Sequence, residues 1–310
     1  MLELLQVAPM STVQDLGREG LRHLGIGGGG AMDPFALQRA NALLGNAPGA
    51  AAIELCAGGL RLRCTRDAWF ALQGAAFEMR IEGRLQPAHL RCRVMAGQEL
   101  SLQGPQAGWF GVLAVDGGIA LPPVLGARAT VLRGGFGGLD GRCLRAGDRL
   151  PLGAASPLQG RRGLAPPRWT PVLGLLPGPE FQALDADSRA LLWRQRWRVT
   201  AHSDRMGLRL HGAQALHCGA GELLSCASLP GLVQLPPGGQ PIVLAADAQT
   251  TGGYPRIGQL MAAERWKLAQ LRPGDRLQFA PVDLDTARER WDDQQRELRL
   301  LRSTLGCPDA

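Results

Sequence analysis

The loop at residues 247–255 holds the most concentrated set of chemically useful side chains in this sequence. It contains a carboxylate, a carboxamide, two hydroxyls, a Gly-Gly pair and Tyr254, the protein's single tyrosine. The apolar run 241–246 before it is typical of a buried strand, which places the loop at a strand end, where binding and catalytic groups are common. The Gly-Gly pair can adopt positive φ and lets a ligand come close to the backbone. The alternative interpretation is a tight turn whose side chains cap backbone groups.

Two arginines occupy matching places in two similar segments of the chain. Arg18 follows Asp15, and Arg205 follows Asp204. An arginine held by an aspartate presents a planar fork that grips a carboxylate through two hydrogen bonds. The same pair can instead serve only to fix a turn.

Three further polar residues lie in segments with apolar character. Glu54 lies in an apolar run, where burial raises the pKa of a carboxylate and suits it to be a general base, although backbone amides could satisfy it instead. Asn41 lies inside a predicted helix. Gln234 lies in a strand that a Pro-Gly turn connects to the strand before the 247–255 loop. This hairpin predicts that Gln234 lies near Asp247.

Common nucleotide and metal motifs are missing. The glycine run 27–30 precedes a helix, whose N-terminus could bind an anion, but Asp33 at the start of that helix would repel one. None of the five histidines has metal-ligand spacing with a partner, so we expect no metal site.

Composition excludes several classes of protein. The chain is 45% hydrophobic and 20% charged, which is ordinary for a globular protein. Its net charge of +7 comes from scattered arginines rather than a basic stripe, so we expect no nucleic-acid partner. Seven cysteines without a C-x-x-C pair indicate reduced thiols and a cytoplasmic location, and no apolar stretch is long enough to span a membrane.

The fold is predicted to be mainly β, with a few short helices and a C-terminal helix. The 43 Gly and 22 Pro suit many short strands joined by turns. A glycine turn feeding an alternating strand recurs at residues 96–102, 146–152 and 273–279. With the two arginine segments, this repeat indicates a duplication into two related β domains, residues 1–160 and 161–310, joined by a Pro- and Gly-rich linker at 156–171.

Three helices are expected. Asp33 and Pro34 are a strong start signal for the first, which should stop at Gly45 and Asn46. The second is expected around residues 187–196. The third should begin at a capping box formed by Thr286 and Glu289.

Several motifs together resemble the carboxyltransferase A/B family, which includes the C subunit of 5-oxoprolinase (also called allophanate hydrolase subunit 2) and the second part of the urea carboxylase carboxyltransferase domain. They cover nearly the whole chain before the last helix. The matching stretches are 14–18, 31–33, 40–43, 45–46, 117–119, 124–126 with Arg128, 136–138 with 141–142, 203–207, 231–234 and 247–255.

The resemblance implies two cyclophilin-like β-barrel domains and a role in a multi-subunit enzyme. The implied activity is the ATP-dependent opening of 5-oxo-L-proline to L-glutamate, in complex with the A and B subunits of 5-oxoprolinase. ATP is then bound by the complex, and not necessarily by this chain.

The resemblance and the side-chain chemistry together suggest residue roles. Opening a stabilised cyclic amide needs a cation for the substrate carboxylate, which Arg18 or Arg205 could supply, and a general base, which Asp247 or Glu54 could supply. The predicted catalytic residues are Asp247, Arg205 and Glu54. The predicted substrate-binding residues are Arg18, Asn41, Arg128, Gln234, Gln249, Thr250, Gly252, Gly253 and Tyr254.

This sequence departs from the family at three positions. Gly29, Ala127 and Ala129 stand where the family usually has serine. If those hydroxyls bind ligand, this chain has a different substrate or weak activity; if they cap turns, little changes.

Two other functions remain open at this point. The first is transfer of a carboxyl group from carboxybiotin to a urea-like nitrogen, for which biotin would arrive on another chain because Lys267 is the sole lysine and no biotinyl motif surrounds it. The second is a non-catalytic antagonist of a kinase inhibitor.

Overall fold

The computed structural model describes residues 1–155, 157–221 and 223–307. They form two compact units: Met1–Arg18, Gly29–Pro167 and the segment from Arg296 onward in the first, and Glu19–Gly28 with Arg168–Gln295 in the second. The predicted domains, 1–160 and 161–310, are continuous stretches, whereas residues 19–28 group with the second unit and those from Arg296 with the first. The predicted linker 156–171 includes Ser156, which lies outside the described residues.

The first unit contains a nine-stranded antiparallel sheet, one helix that lies entirely within it, and the part of the last helix from Arg296 onward. Its longest strands, β5 and β8, pair with each other over most of their length, from Phe70 with Val115 to Ile81 with Leu100. The strands are β1 (Leu2–Val7), β2 (Thr12–Gln14), β3 (Ala52–Cys56), β4 (Leu60–Cys64), β5 (Ala68–Ile81), β6 (Arg84–Leu85), β7 (Cys92–Val94), β8 (Glu99–Val115) and β9 (Arg149–Leu150).

Alternation of apolar and polar residues fixes which face of this sheet is buried. In β4 the three apolar positions are buried and the two arginines between them are exposed, as the period of two predicts. The buried face joins a core that includes Leu4, Phe70 and Leu113.

The first helix, α1 (Pro34–Leu43), begins where the sequence predicts. Asp33 is its N-cap, Pro34 is its first residue, and the helix ends just before the predicted stop at Gly45. Its buried residues Leu37 and Leu43 pack in a second core cluster with Val112 of β8.

Replacing Asp33 with Ala is expected to lower the free energy of unfolding by about 1 kcal/mol. The reason is that Asp33 Oδ1 accepts the backbone N–H of Ala36 at 2.7 Å, which satisfies a donor that the helix leaves unpaired. Asp33→Asn keeps an acceptor at that position and should cost less. Urea unfolding of the three proteins measures the difference, and equal losses for the two variants would contradict the capping role.

The second unit contains a closed seven-stranded barrel. The barrel order is β10-β17-β14-β15-β12-β11-β18, and the parallel pair β10 and β18 closes it. The strands of this unit are β10 (Val172–Pro177), β11 (Trp197–Val199), β12 (Gly207–His211), β13 (Cys226–Ala227), β14 (Leu232–Gln234), β15 (Ile242–Leu244), β16 (Thr251–Gly252), β17 (Arg256–Leu260) and β18 (Arg276–Pro281). Strands β13 and β16 form a separate two-stranded ladder.

Helices outside the barrel differ slightly from the predicted bounds. The second helix, α2, spans Ala186–Arg194 and is capped by Asp185, so it begins one residue before the predicted start. The third, α3, spans Leu284–Leu305. The predicted capping box at Thr286 was wrong, because Asp283 Oδ1 accepts the Thr286 N–H at 2.8 Å and α3 begins at Leu284. Three 3-10 segments occupy Arg22–Leu24, Phe181–Ala183 and Ala262–Gln270.

The recurring glycine turn is confirmed in all three places. Gly97, Gly147 and Gly274 have φ values of 84°, 90° and 98°, and each precedes a strand by two residues. Glycine adopts this left-handed conformation without the steric cost that a Cβ imposes. In each turn the glycine N–H donates at 2.8 Å to a carbonyl of another strand, that of Cys64, Leu4 and Val199 respectively. The three turns therefore share one local geometry, two of them in the first unit and one in the second.

No helix within the described residues is long and apolar enough to cross a membrane.

Candidate functional site

Asp247 and Arg205, both predicted to be catalytic, form a buried ion pair. Arg205 Nε and Nη2 donate to the two carboxylate oxygens of Asp247, each at 2.9 Å. Their side chains are 5% and 9% exposed. Strands β12 and β15 are antiparallel, with Gly207 opposite Leu244, so the segment before one strand meets the segment after the other. The Asp247 N–H also donates to the Arg205 carbonyl at 2.8 Å.

The aspartate beside each predicted arginine shapes a turn. Asp204 Oδ1 accepts the N–H groups of Met206 and Gly207 at 2.8 and 3.2 Å. Asp15 Oδ1 accepts the N–H of Gly17 at 2.8 Å in the matching segment of the first unit. The carboxylate that holds Arg205 is therefore Asp247, which is 42 residues away in sequence.

The two predicted glutamines lie side by side. Gln249 Nε2 donates to Gln234 Oε1 at 3.3 Å, and Gln234 ends β14 of the β14–β15 hairpin. The structure thus brings Gln234 to the 247–255 loop, and its contact there is Gln249. Two adjacent carboxamides provide donors and acceptors that suit a polar substrate.

The Gly-Gly pair allows a close approach of the chain itself. Strand β16, which contains Gly252, pairs with β13 through Gly252–Cys226 and Thr251–Ala227. A Cβ at Gly252 would lie 2.6 Å from Gln234 Nε2, and one at Gly253 would lie 2.7 Å from the Leu223 carbonyl oxygen. Thr250 is the remaining predicted donor of this loop. Its backbone carbonyl accepts a hydrogen bond from the Ser228 N–H at 2.9 Å.

Tyr254 lines a cavity of about 610 Å³ in the second unit. The side chain is 38% exposed, so its hydroxyl group is within reach of solvent. The cavity is apolar where Leu235 and Pro236 form its wall and polar at His217 and Cys218. The sequence did not single out His217 or Cys218, because neither has motif spacing.

Glu180 holds the segment next to this cavity. Its carboxylate accepts hydrogen bonds from the Arg256 N–H, Nε and Nη2 at 2.7–3.0 Å. The hydrogen bonds from Arg256 hold the pKa of Glu180 below its usual value. The next residues, Phe181–Ala183, form a 3-10 segment, and Ala183 lines the cavity.

The depressed pKa of Glu180 predicts a pH-dependent contribution to stability. Because the folded protein lowers this pKa, the ion pair stabilises the fold above the unfolded pKa of about 4.3, and the contribution disappears as pH falls through the folded pKa. At neutral pH, Glu180→Gln should cost about 1 kcal/mol or less. Unfolding curves of both proteins at several pH values measure this, and a difference that persists undiminished at the lowest pH contradicts it.

The other four predicted residues lie in the first unit and contact its backbone. Glu54 Oε2 accepts the Met32 N–H at 2.6 Å, and the residue is 1% exposed. Asn41 Nδ2 donates to two carbonyls after α1, those of Pro48 and Ala50. Arg128 Nε donates to the Leu121 carbonyl at 2.6 Å.

Arg18, the fourth of these residues, is buried among loops of the first unit. Its Nη2 donates to the carbonyls of Ala129 at 2.8 Å and Val124 at 3.4 Å. The guanidinium carbon lies 4.9 Å from the centre of the Phe136 ring, a cation–π contact.

Two of the three positions without the family serine border Arg18. A Cβ at Gly29 would lie 3.2 Å from Arg18 Nη1 and 3.6 Å from the Ala129 Cβ. The third position, Ala127, is in the turn next to them: its carbonyl accepts a hydrogen bond from the Val124 N–H, and the Val124 carbonyl accepts one from Arg18. A serine hydroxyl at Gly29 or Ala129 would therefore stand beside the Arg18 guanidinium.

The glycine run that precedes α1 is not arranged to bind a phosphate group. A Cβ at Gly30 would lie 2.8 Å from the Leu16 backbone, so this glycine allows two chain segments to approach. The N-terminus of α1 is capped by the Asp33 carboxylate, which would repel an anion.

Lys267 is positioned for structure rather than for carrying a cofactor. The residue is 8% exposed, and its Nζ donates to the Val172 carbonyl and Thr170 Oγ1, both at 3.2 Å, and to the Glu264 carboxylate. Within the described residues, no three His, Cys, Asp or Glu side chains group as a metal site, and the seven cysteines are free thiols.

Comparisons with known proteins agree on one family. Residues 24–281 match the model of the carboxyltransferase domain, subdomain A and B. The chain is 43% identical over 297 residues to the C subunit of 5-oxoprolinase from Escherichia coli, covering 96% of each chain. It is also 43% identical to the C subunit of 5-oxoprolinase from Haemophilus influenzae, covering 93% of each.

A solved structure supports the fold independently. The crystal structure of Kluyveromyces lactis urea carboxylase superimposes with a TM-score of 0.89 at 25% sequence identity. The match covers 97% of this chain and 29% of that one, so the similarity is to one part of a much larger protein.

Proposed function

The chain belongs to the carboxyltransferase family of subdomains A and B, and we propose that it is the C subunit of a multi-subunit, ATP-dependent 5-oxoprolinase that opens 5-oxo-L-proline to L-glutamate. The observation that carries this proposal is the end-to-end likeness to the C subunit of 5-oxoprolinase in two bacteria. The partners are the A and B subunits of that enzyme, the location is the cytoplasm, and ATP is used by the complex as a whole.

The paired glutamines are the proposed donors for the reacting carbonyl. ATP used by the complex would activate the ring carbonyl and end as ADP and phosphate. Water adds to the carbonyl carbon, negative charge develops on its oxygen, and the ring C–N bond breaks as the nitrogen takes up a proton. Donors aimed at the developing charge lower the barrier. Gln234 and Gln249 lie in contact at the 247–255 loop, and Thr250 and the Gly252–Gly253 backbone complete the proposed donor set.

Two carboxylates are proposed as the general base. Asp247 is held by two hydrogen bonds from Arg205, which fix the direction of its carboxylate. Glu54 is the alternative, with Oε2 held by the Met32 N–H. Arg18, Arg128, Asn41 and Tyr254 remain proposed as substrate-binding residues. Full activity after single replacement of Asp247, Arg205 or Tyr254 would contradict the roles proposed for them.

Co-purification with the partner proteins tests the proposal. The complex should release glutamate from 5-oxo-L-proline only when ATP is present, and none of its components should release glutamate in isolation. Arg149→Gln is a suitable control, because Arg149 is an exposed residue paired with Glu3. A stable complex that releases no glutamate would overturn the assignment.

A biotin-dependent carboxyl transfer is the second candidate function. The close superposition with urea carboxylase favours it. Because Lys267 is buried and paired, biotin would come from another chain. Stimulation of carboxyl transfer to urea by a biotinylated carrier protein, with no glutamate release from 5-oxoproline, would select this function.

A further inference from the structure

The proposed substrate carries a carboxylate, and the two arginines predicted to grip it already have partners within the protein. Arg205 donates two hydrogen bonds to Asp247, and Arg18 donates to main-chain carbonyls beside Phe136. A third arginine, Arg22, lies next to the paired glutamines within the second unit. Its position makes it a better candidate for a substrate anion.

Arg22 is a half-buried cation between two loops. Its Nη2 donates to the carbonyls of Ser228 and Gln249, the latter at 2.7 Å. Burial lowers its pKa. Among residues 1–155, 157–221 and 223–307, no carboxylate forms an ion pair with it, and none accepts a hydrogen bond from its Nε or Nη1. A cation placed in this way is suited to an anion supplied from outside, since burying charge without a partner is costly.

Two buried polar groups beside Arg22 also lack partners. Ser228 and Gln234 are each 1% exposed. Within the described part of the chain, neither Ser228 Oγ nor Gln234 Nε2 has a hydrogen-bond partner. An unsatisfied buried donor destabilises a fold, so two of them in one place indicate a partner that the chain itself does not supply.

Gly252 places these two groups at one spot. A Cβ on this glycine would lie 2.6 Å from Gln234 Nε2 and 3.3 Å from Ser228 Oγ. Because residue 252 is a glycine, its main chain can lie close to both groups without a side chain of its own contacting them. Gln249 connects the donors to the cation, since its carbonyl accepts from Arg22 and its Nε2 donates to Gln234 Oε1.

We propose that Arg22, Ser228 and Gln234 form a pocket that binds the carboxylate of a small cyclic amide, which moves Gln234 from the donor set of the reacting carbonyl to the carboxylate and leaves Gln249 and Thr250 in that set. The proposal rests on the proposed function for the identity of the ligand. It assigns the carboxylate to Arg22 rather than to Arg18 or Arg205. A guanidinium, a hydroxyl and a carboxamide N–H supply only donors toward the ligand, which is the pattern that a carboxylate requires.

Ser228 belongs to the segment 223–230, which we call the strap. It is held to the 250–253 segment by the two residue pairs of β13 and β16 and by backbone bonds at Leu223 and Ser228. A ladder of two pairs is marginally stable by itself. Leu224 is 91% exposed and Leu229 is 56% exposed, so neither anchors the strap in the core. The strap is therefore weakly held, and a local movement that carries Ser228 with it would give a ligand access to Gln234.

Binding measurements with a matched ligand pair test the pocket. The full chain, alone and in complex with its partner proteins, is titrated with 5-oxo-L-proline and with 2-pyrrolidone, which has the same ring amide without the carboxylate. We expect 5-oxoproline to bind at least about 10-fold more tightly than 2-pyrrolidone, as a charge-assisted contact implies. Arg22→Gln should weaken 5-oxoproline binding about 10- to 100-fold and leave 2-pyrrolidone binding unchanged.

Three further variants test whether a loss of 5-oxoproline binding could result from a folding defect. Arg22→Lys keeps the charge and should recover part of the affinity. Ser228→Ala should weaken 5-oxoproline binding while leaving the ligand-free protein as stable or more stable, because it removes an unsatisfied buried hydroxyl. Arg149→Gln, far from any proposed ligand contact in sequence and paired at the surface, should change neither quantity.

The outcomes separate the pocket from the reaction. If the complex releases glutamate but Arg22→Gln leaves KM for 5-oxoproline unchanged, the pocket is wrong and the proposed function stands. If no glutamate is released but 5-oxoproline binds in an Arg22-dependent way, the pocket stands and the reaction does not. No binding of 5-oxoproline to the chain or the complex, or equal binding of both ligands, overturns the pocket.

Discussion

Replacing Asp247 with Ala is expected to lower the free energy of unfolding by about 3–5 kcal/mol. The substitution leaves Arg205 buried at 5% exposure without the carboxylate that accepts two of its hydrogen bonds. Removing one partner of a buried ion pair is far more costly than breaking an exposed pair. Denaturant unfolding of the wild type and the variant measures the difference.

Two control variants distinguish the cost of disrupting a buried ion pair from the cost of disrupting any ion pair. Glu3→Ala breaks the ion pair with the largely exposed Arg149 and should cost no more than about 1 kcal/mol. The double variant Arg205→Met with Asp247→Leu removes both charges and should recover much of the stability that the single variant loses. A loss of similar size at Glu3 and Asp247 would contradict the argument.

The double variant also addresses the role of the pair in the reaction. If Asp247 and Arg205 only hold β12 and β15 together, glutamate release by the complex should return with stability. If Asp247 acts as the general base, the double variant should be stable and inactive. The two properties therefore distinguish a structural ion pair from a catalytic one, which the sequence alone left open.

Features encoded within a few residues were predictable from the sequence. The glycine turns before three strands and the Asp33–Pro34 helix start follow from the conformations that Gly, Asp and Pro favour. The β14–β15 hairpin, predicted from its Pro-Gly turn, brings Gln234 to the 247–255 loop. At the start of α3, the sequence offers two side chains that can cap a helix, Asp283 and Thr286. They are three residues apart, and the local pattern does not show which one is the N-cap.

Contacts between distant segments were not predictable in the same way. Arg205 has Asp204 beside it in sequence, so the neighbouring carboxylate was the natural partner to expect. The register of β12 against β15 instead presents Asp247 to Arg205, and Asp204 caps two backbone amides. Ser228 has no motif around it. Ser228 is a candidate ligand contact because it is buried beside Gly252, and that position depends on the pairing of β13 with β16.

Replacing Gly137 with Ala is expected to cost about 3 kcal/mol of unfolding free energy. Gly137 has a φ of 74°, and its added Cβ would lie 2.1 Å from the Ala129 carbonyl oxygen and 3.0 Å from Arg18 Nη2. That carbonyl is the acceptor of the 2.8 Å hydrogen bond from Arg18. The backbone must therefore move, and the guanidinium must move with it. Urea unfolding measures the loss.

Gly135 in the same loop is the matched control. Its φ is 64°, and a Cβ there would meet nothing within 4 Å. Gly135→Ala therefore carries only the cost of the left-handed conformation, about 1 kcal/mol. The difference between the two variants isolates the collision at Ala129 from backbone strain. Equal losses would mean that the loop yields freely around Arg18. A larger loss at Gly137, with KM for 5-oxoproline unchanged in the folded fraction, would mean that Arg18 supports the fold rather than the substrate.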